Sequence, residues 1–215
     1  MPKKALMVWG GWDGHTPKQA IDRFQPFLTK NGYDVEVKDT LEAYADAALM
    51  GSLDLIVQCW TMGQLSNEAW EGLDKAVSGG VGLAGWHGGL CDSFRSHCSY
   101  QWMTGGQFLS HPGNIKDYEV HITNWADPIT EGLSDFTIKS EQYYMLTDPA
   151  NVVLATTTFD GVHDANSKGV VMPTVWKKRW GKGKVFYNAL GHVAADFDVP
   201  EARIMTERGI LWASK

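Results

Sequence analysis

Residues 81–89 read Val81-Gly82-Leu83-Ala84-Gly85-Trp86-His87-Gly88-Gly89, an apolar run that ends in a glycine-rich turn around a histidine. An apolar strand followed by Gly-x-His-x-Gly is typical of a nucleophile elbow, a sharp strand-to-helix turn that raises one side chain above the carboxyl edge of a sheet. Glycines suit such a turn because its backbone φ is positive and its contacts are close. The raised residue is normally Ser or Cys, so His87 indicates a site without ordinary acyl-enzyme chemistry. The structural alternative is a βα turn whose histidine is only hydrogen-bonded.

Strands alternate with helices in the sequence that precedes this turn. A helix is predicted to begin with Thr16 as its N-cap and Pro17 in its first turn, and Gly32 follows its end. This alternation predicts βαβ units and a parallel sheet, whose ligands lie beyond the carboxyl ends of the strands. Segments 9–15, 60–63 and 87–89 should therefore meet at one carboxyl edge. The predicted strands are 4–11, 33–39, 53–60 and 81–86, and the predicted helices are 16–31, 41–50 and 66–78.

The second half of the sequence predicts a different arrangement. Residues 100–113 are rich in Gly and aromatic side chains and are predicted to form a loop. Two apolar runs around Gly181-Lys182-Gly183 predict a hairpin of residues 170–176 and 184–188. Strands at 118–123 and 152–158 and a helix at 200–214 complete the chain. Because the sequence contains no linker or repeat, residues 1–215 are predicted to be a single domain.

Composition and charge narrow the classes of partner. The 215 residues are 44% hydrophobic and carry a net charge of −6, which disfavours nucleic acid and anionic membranes. The longest apolar runs are far shorter than a membrane span, and residues 1–9 enter a strand without room for a signal peptide. The three cysteines are odd in number and lack metal-finger spacing, so a reducing cytoplasm is expected. A homo-oligomer is left open.

Four of the seven histidines lie at predicted strand ends or in Gly/Pro-rich loops. They are His15, His87, His111 and His192, and Glu141 comes just after the alternating run 136–139. A carboxylate with imidazoles can form an acid/base set near neutral pH. The same side chains can bind a transition metal. Since no short His-x-x-x-His spacing occurs, a metal would need ligands from distant segments and is the minority alternative.

Several motifs together resemble the ThuA-like (trehalose-utilisation) family along nearly the whole chain. The resemblance implies a class I glutamine-amidotransferase-like fold, which is a flavodoxin-like three-layer sandwich with a mostly parallel sheet. In that superfamily the elbow residue is Cys; here His87 takes its position, and His192 resembles a late histidine after a C-terminal strand. Without a thiolate, glutamine amide hydrolysis is not expected. The motifs are Trp9-Gly10-Gly11 with His15, 85–89, 104–112, 141–144 and 181–192.

Two positions depart from the pattern of this family. Many relatives have His-Pro where this chain has Asp198-Val199-Pro200, and their carboxylate motif often begins Asp-Glu where this chain has Ser140-Glu141. An imidazole and a second carboxylate are therefore either missing or replaced by Asp196 or Asp198.

The leading hypothesis is a cytoplasmic enzyme of carbohydrate catabolism that acts on a sugar or keto-sugar, as an isomerase, lyase or hydrolase. The link to sugars comes from the resemblance. His87 and His192 are the predicted acid/base residues, and Glu141 is predicted to orient His87 or share its proton. No cofactor is required by this mechanism. The predicted substrate-binding residues are Trp9, Trp12, His15, Trp86, His111 and Tyr143, with the backbone NH groups of Gly88 and Gly89 as oxyanion donors.

Two other functions are left open. In the first, the protein is a metal-dependent hydrolase in which His15, His111 and His192 hold the ion. In the second, it is a non-catalytic carbohydrate-binding or regulatory domain, because a fold does not determine turnover.

Overall fold

The protein, described here by a computed structural model for residues 2–215, is built around a mixed β-sheet that is covered by helices. The strands are β1 (Lys3–Gly11), β2 (Tyr33–Lys38), β3 (Leu55–Thr61), β4 (Gly82–Trp86), β5 (Gly106–Ser110), β6 (Ile115–Ile122), β7 (Phe136–Glu141), β8 (Tyr144–Thr147), β9 (Val152–Thr158), β10 (Val171–Trp180) and β11 (Gly183–Asn188). The helices are α1 (Pro17–Lys30), α2 (Ala47–Ser52), α3 (Asn67–Gly79), α4 (Gly88–Cys91), α5 (Cys98–Thr104) and α6 (Pro200–Ala213). Short 3-10 segments cover Asp13–His15, Leu41–Ala45, Ala165–Ser167 and Ala194–Asp198.

The main sheet has a parallel half and an antiparallel half. Its nine strands lie in the order β2-β1-β3-β4-β11-β10-β9-β6-β7. The first five pair in parallel, and every pairing from β11 to β7 is antiparallel. Strands β5 and β8 form a separate antiparallel pair. The predicted α/β class, the βαβ units of the first half and the hairpin around residues 181–183 are confirmed.

Helix boundaries follow local chemistry, with one correction at Thr16. Helix α1 has Pro17 in its first turn and ends before Gly32, as predicted. Thr16 does not cap it through its side chain, because its φ of +45° directs the hydroxyl elsewhere, and Thr16 Oγ1 accepts a hydrogen bond of 2.9 Å from the Ala194 backbone NH. This bond ties the start of α1 to the segment that follows β11. In α3, Ser66 is a side-chain cap and accepts from the Ala69 NH.

Two further segments differ from the sequence prediction. Residues 41–50 do not form one helix but a 3-10 segment followed by α2, because Asp46 caps the NH groups of Ala48 and Leu49 and starts a new helix there. Residues 100–113 are not all loop. They contain most of α5, and β5, whose pairing with β8 is a non-local contact that local composition does not report.

The two faces of the sheet bury separate apolar clusters. On one face, α1 and α6 contribute Phe24 and Met205, which pack in one cluster with Trp86. On the other face, α3 and α5 contribute Leu73 and Tyr100. Within residues 2–215, no helix combines the length and the apolar character that a membrane crossing needs.

Candidate functional site

Three buried histidines meet at the carboxyl edge of the parallel half. His15 ends the 3-10 segment after β1, His87 directly follows β4, and His192 follows β11. Strands β1, β3, β4 and β11 are consecutive neighbours in the sheet, so their carboxyl ends lie side by side. The prediction that the strand-end segments converge is confirmed.

Close backbone packing between β1 and β3 places His15. A Cβ at Gly11, whose φ is +77°, would lie 1.9 Å from the Thr61 carbonyl oxygen, so only glycine allows the approach. The Trp12 NH donates to that oxygen at 2.9 Å and directs the following turn back across the carboxyl edge. His15 Nδ1 then lies 2.8 Å from Thr61 Oγ1, which fixes the ring and turns His15 Nε2 toward the other histidines.

His87 is held in a strained conformation at the elbow. Its φ of +47° and ψ of −141° are unusual for a residue with a Cβ, and such strain persists only where the surroundings enforce it. Its backbone NH donates to the Asn188 carbonyl at 2.7 Å. The ring Nδ1 lies 2.7 Å from the carbonyl oxygen of Ala189 and must donate, because a carbonyl only accepts. The tautomer is therefore fixed, and in the neutral ring Nε2 carries a lone pair.

Four imidazoles surround the carboxylate of Glu141, the last residue of β7. Its Oε2 lies 3.1 Å from His87 Nε2, 3.2 Å from His192 Nδ1 and 4.0 Å from His15 Nε2. Its Oε1 lies 3.6 Å from His111 Nε2. The structure thus brings Glu141 to His87 and His192, the three residues predicted to be catalytic.

The electrostatics of this cluster favour neutral rings at His15 and His87 and an ionised carboxylate at Glu141. Burial, followed by the nearby His87 and His192 rings, lowers the pKa of His15 from 6.5 to about 3. Burial also lowers the pKa of His87, against the opposing effect of Glu141. Burial alone would raise the pKa of Glu141, but the His192 and His87 rings outweigh this effect when the nitrogen that faces Glu141 carries a proton, and they then hold that pKa well below its usual range.

The donor set fits a transition metal. One nitrogen each from His15, His87 and His192 and one oxygen of Glu141 all lie within 4.8 Å of one another. The three rings meet edge-on, with centroids 4.8 to 5.4 Å apart. Imidazole and carboxylate are common ligands of Zn²⁺ and related ions. His192 Nδ1 is buried and makes no hydrogen bond within the described residues, so it is available as a ligand.

The cluster opens into a cavity of about 170 Å³. Tyr143 stacks on His87 with ring centroids 3.8 Å apart. Asp92, a buried residue of the cavity wall, receives two hydrogen bonds of 2.7 Å from Arg95, whose side chain is half exposed. The lining residues are Trp12, His15, Thr61, Met62, Asp92, Arg95, Phe108, His111, Glu141 and Tyr143. A larger groove of about 480 Å³ beside α2 and α3 is lined by none of the four histidines.

Several of the predicted substrate-binding residues do line this cavity. Trp12 is 47% exposed and packs edge-on against His15, and His111 is one-third exposed. His15 and Tyr143 form part of its wall. Their contact with a substrate remains a prediction.

Other predicted residues lie elsewhere. Trp86 is 1% exposed and packs on Phe24 and Phe197, so it is a core residue and cannot stack on a ligand. Trp9 is partly buried against the same core and does not line the cavity.

The two elbow glycines serve close packing. A Cβ at Gly88 would lie 2.5 Å from His15 Cε1, and one at Gly89 would lie 2.8 Å from Cys59 Cα. The oxyanion role predicted for their NH groups remains a prediction.

The metal alternative named a different ligand set. His111 does not join His15 and His192 in the close cluster, because it faces the other carboxylate oxygen, and His87 and Glu141 take part instead. The Asp92–Arg95 pair was not predicted. Its only sequence signal is the placement of a carboxylate and a guanidinium just beyond the elbow, three residues apart.

The two departures from the family motifs have different outcomes. Asp196 is buried, and its Oδ2 accepts hydrogen bonds from Ser140 Oγ at 2.5 Å and from the His192 backbone NH at 2.9 Å. Asp198 is exposed and pairs with Arg23 at 2.7 Å. Of the two candidates, Asp196 alone contacts residues of the site.

The fold and site define a mixed α/β protein with a histidine and carboxylate centre at the carboxyl edge of its sheet. The profile of the ThuA family, described as trehalose utilisation, matches residues 4–213, and the chain belongs to this family. Comparison with curated proteins gives no significant match.

Solved structures support the same fold. A ThuA-like protein from Bacteroides uniformis superposes with a TM-score of 0.80 at 16% identity, covering 98% of this chain and 91% of its own. A ThuA-like protein from Parabacteroides merdae gives 0.76 at 18% identity, covering 99% and 90%. A cytoplasmic protein from Salmonella typhimurium LT2 gives 0.70 at 12% identity, covering 99% and 100%. At these identities the likeness extends to the fold alone.

Proposed function

We propose that this protein is a metal-dependent enzyme of carbohydrate catabolism that acts on a sugar or an oxidised (keto) sugar. One observation carries the proposal: a single carboxylate oxygen of Glu141 faces ring nitrogens of three buried histidines at 3.1, 3.2 and 4.0 Å. The family description, trehalose utilisation, supports the carbohydrate class.

The contact between His87 and Glu141 supports a bound cation. His87 Nδ1 donates to the Ala189 carbonyl, so a neutral ring directs the lone pair of Nε2 toward a carboxylate oxygen 3.1 Å away. Two electron-rich atoms at this distance repel each other unless a positive charge lies between or beside them. A divalent ion held by His15, His87, His192 and Glu141 supplies that charge. The Ala189 carbonyl and the Thr61 hydroxyl then act as the outer hydrogen-bond partners that orient ligating histidines.

The residues around the cluster suit proton transfer next to a carbonyl group. His15, His87, His192 and Glu141 would hold a divalent ion, which would supply a Lewis acid for a carbonyl or hydroxyl oxygen of the substrate. His111 is the partly exposed imidazole of the cavity and takes the proton from the carbon beside that carbonyl. Return of that proton to the former carbonyl carbon, together with transfer of the proton of the adjacent hydroxyl to the former carbonyl oxygen, completes an isomerisation. Burial raises the pKa of Tyr143 well above its usual value, so its phenol stays protonated and acts as a hydrogen-bond donor.

The cavity walls support a small polyol as the ligand. Trp12 and Phe108 offer aromatic faces, and the Arg95 guanidinium offers donors that its pair with Asp92 leaves unused. We further assign the parallel half to the flavodoxin-like class, because its strands follow the order 2-1-3-4 before the fifth parallel strand, and with it the class I glutamine-amidotransferase-like superfamily. The three cysteines without disulfides support the cytoplasm as its compartment.

Elemental analysis of protein purified without an affinity tag tests the metal. We expect roughly one equivalent of a divalent transition metal per chain, lost on dialysis against a strong chelator. Less than about a tenth of an equivalent, with no uptake on adding Mn²⁺, Co²⁺ or Zn²⁺, contradicts metal dependence.

Incubation with a panel of 3-keto disaccharides, followed by NMR, tests the reaction. We expect consumption of at least one compound by the wild type and its loss in His87→Ala. Binding without turnover across the panel supports a non-catalytic sugar-binding domain instead.

A metal-free acid/base enzyme using His87, Glu141 and His192 is the second candidate. A proton on His87 Nε2 would turn the same 3.1 Å contact into a charge-assisted hydrogen bond. Turnover that survives complete removal of metal favours this candidate.

A further inference from the structure

The position of Glu141 relative to the histidines is not set by the sheet. Strand β7 lies at one edge of the sheet, and β10, β9 and β6 separate it from β11, the strand that precedes His192. Backbone pairing along this path fixes each strand only against its neighbour. Small differences of twist accumulate over several strands, yet Glu141 Oε2 lies 3.2 Å from His192 Nδ1. A direct link between the two segments is needed to hold this distance.

We propose that Asp196 is a positioning residue that sets the distance between Glu141 and His192 through Ser140. One oxygen of its carboxylate, Oδ2, accepts from Ser140 Oγ at 2.5 Å and from the His192 backbone NH at 2.9 Å. Ser140 directly precedes Glu141 in β7, so a single atom joins the segments that carry the two site residues.

Burial makes this link effective. Ser140 is 1% exposed and Asp196 is 9% exposed, so water competes little for these hydrogen bonds. A carboxylate oxygen accepts more strongly than a neutral group, which favours short, well-directed contacts. Tyr118 adds a further restraint from β6, because its hydroxyl donates to the Glu141 carbonyl at 3.2 Å. Asp198, by contrast, is exposed and contacts Arg23 at the surface.

The geometry assigns Asp196 no contact with substrate. It acts on the site by placing a ligand from the antiparallel half against a ligand from the parallel half. Partners of this kind, one step removed from the ion, typically change metal affinity by about 10- to 100-fold when they are removed. The affinity readout rests on the proposed function, since it requires that the wild type binds a metal.

Zn²⁺ affinity of the full chain, measured by competition with a chromophoric chelator, tests the link. We expect Ser140→Ala and Asp196→Asn each to weaken binding by about 10- to 100-fold. The double variant should bind Zn²⁺ about as weakly as whichever single variant has the lower affinity, because both changes break the same link. Ser167→Ala is the matched control: this serine is 3% exposed and its hydroxyl bonds the Asp164 carbonyl at 2.7 Å, outside the cavity. Its Zn²⁺ affinity should stay within about twofold of wild type, since it touches no ligand.

A metal-free measurement separates this inference from the proposed function. In chelator-treated protein, ¹⁵N spectra of the histidine rings, assigned with His192→Gln, report the surroundings of His192 directly. Ser140→Ala should shift the His192 ring signals while Ser167→Ala leaves them in place. Unchanged His192 signals in a folded Ser140→Ala protein overturn the link. If the wild type binds no Zn²⁺ but Ser140→Ala still shifts the His192 signals, the proposed metal is contradicted and the link between Glu141 and His192 stands.

Discussion

The two halves of the sheet contribute to the site in different ways. The parallel half supplies His15, His87 and His192 from turns that directly follow neighbouring strands, and backbone contacts hold each turn. The antiparallel half supplies Glu141 from an edge strand, which a hydrogen bond between the side chains of Ser140 and Asp196 ties to the segment of His192. The first kind of placement is local and follows from strand order. The second depends on the curvature of the whole sheet, so the carboxylate is the part of the site most open to perturbation.

The largest effect expected from this difference is a loss of turnover without loss of metal. His111 comes from the loop between β5 and β6, and it faces Glu141 Oε1 without joining the close cluster. His111→Gln should lower kcat by about 10²- to 10⁴-fold, the usual contribution of a general acid or base, while metal content is unchanged. The assay uses the 3-keto disaccharide that the wild type consumes, with elemental analysis of the same samples. An equal loss of metal content and activity would show that His111 is a metal ligand.

The second effect concerns the carboxylate itself. Glu141→Gln keeps the shape of the side chain and removes its charge, so metal affinity should fall by at least about 100-fold, more than for a partner outside the ligand set. Zn²⁺ competition measures this loss. Glu119→Gln is the matched control, because Glu119 is an exposed glutamate near His121 and Asp135, the other group of side chains within metal-ligand distance. A similar loss of affinity in Glu119→Gln would show that the metal binds at that surface group instead.

A third test acts on the parallel half through its tight packing. In Gly88→Ala the new methyl group would lie 2.5 Å from His15 Cε1 and 3.0 Å from Thr61 Cγ2, so the His15 ring must move. We expect a loss of about 1–3 kcal/mol in the free energy of unfolding from overpacking, together with weaker metal binding. Urea denaturation and Zn²⁺ competition measure the two.

Gly51 provides the comparison for that variant. It lies within α2, and a Cβ there meets nothing within 4 Å. Gly51→Ala should therefore stabilise the protein by about 0.5–1 kcal/mol, as expected for a helix interior. If Gly88→Ala is as well tolerated, His15 is not held by the elbow.

The sequence predicts the site residues of the parallel half better than those of the antiparallel half. The elbow around His87 and the strand-end positions of His15 and His192 were accessible, because parallel strands place their carboxyl ends together. The proximity of Glu141 was supported only by the resemblance, since β7 pairs with β6 and reaches the site through non-local contacts. Trp86 was misassigned because a tryptophan at a strand end can point to either face, and here it points into the core against Phe24. Helix α5 and strand β5 were not predicted within residues 100–113. The pairing of β5 depends on β8, which lies more than thirty residues away.

The smallest expected effect is a pH dependence of stability that distinguishes His15 of the parallel half from Glu141 of the antiparallel half. The pKa of His15 is lowered from 6.5 to about 3 in the folded protein. Between these two pH values the unfolded chain binds a proton on His15 and the folded protein does not. Its contribution to stability is complete above pH 6.5 and is lost as the pH falls toward 3. Glu141 also has a lowered pKa, so its contribution is present above its ordinary pKa of 4.5 and is lost only below that.

Urea denaturation of the chelator-treated protein at pH 7.5 and 5.5 falls within the histidine window alone. We expect the free energy of unfolding to be about 1 kcal/mol lower at pH 5.5 for each imidazole that stays neutral. His15→Gln should reduce this difference by one such increment, because the substituted residue does not titrate in the window. His163→Gln, at an exposed position, is the control and should leave the difference unchanged. An unchanged pH dependence in His15→Gln would mean that the folded protein protonates His15, and the parallel half would then present a charged ring to Glu141 instead of a neutral ligand.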